Sequence, residues 1–134
     1  MYPVIAAIAT AIIMIIIAVV LSRIFSIRLM AATILCSIAF IYVGFSLKGN
    51  PLENILLEVF VAMGFYFLAL HGYIKNMALL GYGIIAHGVW DMLHHGSWLI
   101  KTDIPAYWPV YCSIVDFIYG AYIVVLSKRS ASVA

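Results

Sequence analysis

Between positions 3 and 21 the chain carries no charged residue, and Thr10 is the one hydroxyl-bearing side chain in the run. That length is about what an α-helix needs to cross the hydrocarbon core of a bilayer, ~20 residues rising 1.5 Å each. Residues 29–47, 55–74, 77–96 and 108–126 are stretches of the same kind. A water-soluble fold cannot absorb five of them. Hydrophobic residues make up 67% of the 134 and charged residues 9%, against about half and a quarter in soluble domains. In water, such a chain would leave large apolar patches exposed. The expected fold is therefore all-α, a polytopic transmembrane helix bundle of five spans in a single domain. The lipid bilayer is its first partner. No nucleic-acid partner is expected, and the net charge of +2 says little, because in a membrane protein the sidedness of Lys and Arg carries more information than their sum.

The connections are short. Residues 22–28 carry Arg23 and Arg28, Lys48-Gly49-Asn50-Pro51 is a turn signal, and Lys75-Asn76 is a tight polar link that makes the third and fourth spans an antiparallel hairpin. The long connection, residues 97–107, holds Lys101, Asp103 and Pro105 between aromatic residues, as an interfacial loop would. Five spans put the termini on opposite sides. Arg23, Arg28, Lys75, Lys128 and Arg129 then share one side, with Lys48 and Lys101 on the other. The excess of basic residues marks the first side as cytoplasmic, the N-terminus as outside and the C-terminus as inside. The first span lacks a basic leader and exceeds a usual signal-peptide core, so it is expected to be retained.

Glu58, Asp91 and Asp116 are three of only five acidic residues, and all lie within spans that have no internal Lys or Arg. An isolated carboxylate there costs about 2.5–3.5 kcal/mol or more. Each must be protonated, hydrogen-bonded, cation-bound or turned toward water. The four histidines, His71, His87, His94 and His95, also lie in or at the ends of spans. His87, Asp91, His94 and His95 are spaced i, i+4, i+7, i+8, an arc of about 100° on a continuous helix. Cys112, Asp116 and Tyr119 repeat the spacing on the fifth span, and Glu58, Ala62 and Tyr66 form a stripe on the third. Gly64, Gly83, Gly88 and Gly120 would let these helices approach closely. By helical rise, Glu58 and His94 lie about 5 Å below the outer boundary and Asp91 and Asp116 about 10 Å. His71 lies near the other end. Its depth differs from that of His87 by about 10 Å, which argues against a bis-histidine haem.

Carboxylate and imidazole together are the ligand set of zinc, iron or manganese, and His-x3-Asp offers one ion two ligands from successive helical turns. The expected ligands of a divalent transition metal, zinc or iron, are His87, Asp91, His94, His95, Asp116 and Glu58. Glu58 and Asp116 are also the candidate catalytic groups. The alternative is a polar network in which acids and histidines neutralise one another, either locking helices together or carrying protons. Cys36 and Cys112 are too few for a disulfide framework, and Cys112 reads as core packing. Trp90, Trp98, Tyr107 and Trp108 read as an aromatic belt. The first two spans are expected to carry no site residue and to pack on one another.

Residues 83–116 resemble a functionally uncharacterised family of small bacterial integral-membrane proteins. The resemblance rests on His87-Gly88-Val89-Trp90-Asp91-Met92-Leu93-His94-His95, then Tyr107-Trp108-Pro109 and Cys112-x3-Asp116, with Ile41-Tyr42-Val43-Gly44-Phe45 and Glu58 upstream. The family order before the proline is Trp-Tyr, whereas this chain has Tyr107-Trp108. The resemblance implies a multi-pass protein of the bacterial cell membrane, meaning the inner membrane, and weight on these polar residues. It implies no reaction. Two functional readings follow. One is a metal site near the outer face, serving hydrolysis or another reaction on an apolar small molecule or lipid. The other is a proton- or cation-handling protein, or an accessory subunit of a membrane complex or oligomer, with His94 and His95 as the outer mouth of a relay.

Overall fold

A computed structural model describes residues 2–97 and 100–131. It is all-helical among the described residues: α1 Tyr2–Leu21, α2 Ile27–Ala39, α3 Ile41–Ser46, α4 Leu52–Ile74, α5 Met77–Leu93 and α6 Trp108–Ala131, with a 3-10 turn at His95–Ser97. Local chemistry explains several boundaries. The Ser26 hydroxyl accepts the Leu29 N–H and starts α2, and the Asn76 side chain accepts the Ala78 N–H and starts α5. Pro51 stands at the N-cap of α4 with extended backbone and Glu53 in the first turn. Arg28 donates to the Tyr73 carbonyl at 3.4 Å, placing a cation at the C-terminal end of α4.

The side-chain distribution is that of a membrane bundle. On α1 the buried residues are Ala7, Ala11 and Ala18, while Ile5, Ile8, Ile12, Ile13, Ile16 and Ile17 face outward. A soluble bundle would bury the isoleucines. In lipid, small residues go inside because close backbone approach, not apolar burial, holds helices together. Among the described residues, four segments are long and apolar enough to cross a membrane: Tyr2–Leu21, Ile27–Ser46, Leu52–Ile74 and Trp108–Arg129. This is consistent with a multi-pass membrane protein.

The second of these segments is broken at Phe40 (φ −94°, ψ 0°) into α2 and α3. The segment expected over 77–96 is helical only through Leu93, 17 residues, or about 25 Å against a hydrocarbon core of about 30 Å. Its path continues as the 3-10 turn, where Gly96 takes the left-handed conformation (φ 64°) that favours glycine.

Helix α5 sits at the centre. It packs most extensively on α6 and also touches α2 and α4, while α1 packs on α6. The α5–α6 contact is backbone to backbone: a Cβ at Gly81 would lie 2.8 Å from the Gly120 carbonyl oxygen, and a Cβ at Gly120 would lie 2.8 Å from that of Gly81. Gly88 rests instead on side-chain atoms of α6, the Asp116 Cβ and the Phe117 ring. Gly64, expected at such a contact, is not at one, for nothing lies within 4 Å of its would-be Cβ. The first two spans depart from expectation as well. The main partner of α1 is α6, with Thr10 hydrogen-bonded to the Tyr111 hydroxyl at 2.8 Å, and α2 packs on α4 and α5. Between α1 and α2 runs an apolar groove of about 400 Å³ lined by Met14, Ile17, Met30 and Ile34, with Tyr119 at its floor.

Candidate metal centre

Among the described residues, the buried polar side chains collect toward the end of the bundle that carries segments 47–51, 94–97 and 100–107, called here the loop end. They are Ser46, Glu58, His87, Asp91, His94, Thr102, Ser113 and Asp116. Toward the other end the core is Ala31, Leu35, Ala69, Leu80, Ile84 and Ile123.

Two histidines, His87 within α5 and His94 at its C-cap, organise two different centres. At the deeper one, His87 Nδ1 lies 2.8 Å from Asp116 Oδ2 and 3.7 Å from Asp91 Oδ1. Gly88 makes this possible by letting α6 come close enough to set Asp116 against α5. One ligand atom from each of His87, Asp91 and Asp116 falls within 4.8 Å of the others, and all three residues are buried. The ring of His87 is fixed by Phe65, edge-on at 5.2 Å, and faces the Ile38 carbonyl near the end of α2. A ligating histidine commonly has such an acceptor for its other N–H. Asp91 is the anomaly. It is 0% exposed, and neither carboxylate oxygen has a hydrogen-bond partner. An acid left so in hydrocarbon is among the costliest arrangements available to a side chain, and a cation between the carboxylates and the imidazole would relieve it. The donor set of one imidazole and two carboxylates fits a first-row transition metal.

The shallower centre is complete as it stands. His94 follows the last helical residue of α5, and its Nδ1–H donates to the Trp90 carbonyl at 3.0 Å, satisfying one of the carbonyls orphaned where the helix ends. That fixes the ring so that Nε2 meets Glu58 Oε1 at 2.7 Å. The Thr102 hydroxyl donates to the same oxygen, also at 2.7 Å. Because Nδ1 carries a proton, the short Nε2–Oε1 contact holds one further proton, on the imidazole or on the carboxyl. Thr102 is held there by a strap. Asn54 donates to the Lys101 carbonyl at 2.8 Å, and the Asp103 N–H donates to Asn50 Oδ1 at 3.0 Å. Asn50, Asn54 and Glu58, spaced four apart, thus anchor residues 101–103.

Tyr42 of α3 stands between the centres, stacked on His94 (ring centroids 4.1 Å apart, planes 18° apart) and 6.1 Å from His87. The break at Phe40 brings it there.

Residues 2–129 match the model of a family described as a family of unknown function, DUF6010. The chain belongs to DUF6010. No curated protein and no solved structure matches it.

Of the six ligand candidates in this DUF6010 chain, the structure brings His87, Asp91 and Asp116 to one point. Glu58 and His94 pair with each other instead. His95 leaves the set: it lies exposed on the 3-10 turn, because α5 stops at Leu93 and the helical phase that put His95 above His87 ends there. His71 is exposed near the C-terminal end of α4, away from both centres. Cys112 is half-buried and free. The aromatic belt is partly something else, since Trp90 packs edge-on against His94 at 5.3 Å and Trp108 against Phe45 at 5.3 Å. Trp98 lies outside the described residues. Two residues that the structure brings to these centres carry no clear mark in the sequence. Tyr42 overturns the expectation that the first two spans carry nothing of the site, and its only trace was its place in the Ile41–Phe45 stretch that carries the resemblance. Thr102 left no trace, because only the fold of the strap brings it to Glu58.

Proposed function

We propose that this DUF6010 protein is a multi-pass protein of the bacterial cell membrane, N-terminus outside, whose His87, Asp91 and Asp116 hold a divalent transition metal, zinc or iron, near the outer face. The observation that carries the reading is the Asp91 carboxylate, fully buried with both oxygens unpartnered beside a second acid and an imidazole. Such a metal would lower the pKa of a bound water toward neutrality and suit hydrolysis, or a related reaction, of an apolar small molecule or lipid reaching the site from the membrane. Glu58, oriented by His94 and Thr102, is the acid–base group on the loop side of Tyr42. Elemental analysis of protein purified without a metal-affinity tag tests the proposal. About one equivalent of metal is expected, falling away in the double variant His87→Ala, Asp91→Ala. Less than about 0.2 equivalents in the parent, or stoichiometric metal in the double variant, overturns it.

The Glu58–His94 pair favours a second reading, a proton relay or structural network. Against a path across the membrane stands the apolar core beyond Asp116, with no buried acid or histidine toward that end among the described residues. Proteoliposomes showing flux driven by a pH gradient and lost in Asp116→Asn would restore that reading.

A further inference from the structure

A three-ligand site leaves one group of the centre unused. Tyr42 is 1% exposed, and its Oη has no hydrogen-bond partner. That oxygen faces Asp91, whose two oxygens are unpartnered as well. The phenol O–H is the donor beside Asp91, yet it meets neither carboxylate oxygen in full hydrogen-bond geometry, and a single O–H would in any case leave the second oxygen bare. The ring cannot easily swing its hydroxyl elsewhere, because it is stacked on His94 on one side and borders His87 on the other. Unpartnered phenol and carboxylate oxygens side by side in a dry interior form a half-shell of hard donors.

We infer that Tyr42 Oη is the fourth protein donor to the ion held by His87, Asp91 and Asp116. The inference rests on the metal reading above and narrows it. One imidazole nitrogen, two carboxylate oxygens and a phenolate oxygen make a hard, oxygen-rich set, which suits iron better than zinc, and tyrosine is an established iron ligand in haem proteins. On ligation the phenol O–H bond breaks, an Fe–O bond forms, and the proton leaves to solvent. The oxidation state of the metal does not change.

A phenolate on ferric iron absorbs visible light by charge transfer from ligand to metal, so the test does not depend on any activity. The full chain in detergent micelles, stripped of metal and given one equivalent of Fe³⁺, is expected to show a visible band that is absent when Zn²⁺ is given instead. Tyr42→Phe keeps the stacked ring and is expected to lose the band and bind Fe³⁺ at least tenfold more weakly. Tyr119→Phe removes the other buried tyrosine hydroxyl without a partner and is expected to keep the band. Iron bound at one equivalent without a band, a band that survives in Tyr42→Phe, or a band lost in Tyr119→Phe overturns the assignment of Tyr42 and leaves the three-residue site standing. A parent protein that binds neither Fe³⁺ nor Zn²⁺ removes the site itself. Should Tyr42→Phe fail to elute as a single folded species, global 3-fluorotyrosine in the parent chain replaces it. A shifted band is then expected, and an unshifted one overturns the inference.

Discussion

His87 lies in α5 and His94 caps its C-terminal end seven residues on, both buried and both facing an acid on a neighbouring element, yet their surroundings differ in kind. Around His94 the donors and acceptors meet: Trp90 takes one ring proton, Glu58 meets the other nitrogen, and Thr102 donates to the same carboxylate. Around His87 the acceptors outnumber the donors. Asp116 is paired with His87, while neither Asp91 nor the Tyr42 hydroxyl meets a partner in full hydrogen-bond geometry. A closed set of hydrogen bonds is its own reason for being buried, whereas an open one needs a further component. The first is read as a positioning device and the second as a binding site.

This contrast can be broken by substitution, and the largest effect is expected at the closed centre. Glu58→Ala leaves His94 Nε2 and the Thr102 hydroxyl without partners and should cost about 3 kcal/mol in unfolding free energy, measured by denaturation in mixed micelles. A loss below about 0.5 kcal/mol would show that the pair is not closed as described. At the open centre a substitution should behave differently with and without metal. Asp91→Asn in metal-free protein removes a fully buried acid without a partner and should raise stability rather than lower it. Metal at a hundredfold excess over its dissociation constant should stabilise the parent by about 2.7 kcal/mol, and Asp91→Asn should lose that gain. Equal stabilisation of both proteins would place the ion elsewhere.

Smaller effects probe what holds the two centres in register. Gly120→Ala drives a Cβ against the Gly81 carbonyl and the Ile85 backbone and should cost about 2 kcal/mol. Gly64→Ala, with open space around it, should be neutral in the same assay. Thr102→Val keeps the shape of the strap and removes one hydrogen bond, for about 1 kcal/mol. A cost as large as that of Glu58→Ala would mean that the strap, rather than the imidazole, fixes the carboxylate.

The sequence by itself determined the membrane setting, the helical fold class and the short list of residues able to do chemistry. Those follow from composition and from the cost of bare carboxylates in hydrocarbon, and both act on every conformation of the chain. The His87–Asp91 pair was equally legible, because i, i+4 geometry is fixed wherever the helix is continuous. What only the tertiary structure decided begins where continuity ends. The stop at Leu93 freed His94 to cap its own helix and meet Glu58, and it sent His95 to the surface. The break at Phe40 carried Tyr42 in from a span that reads as plain apolar packing. Contact between Gly81 and Gly120 set Asp116 beside His87, and the strap set Thr102 on Glu58. Each is a long-range contact made by backbone approach or chain reversal, and neither leaves a periodic mark in the sequence.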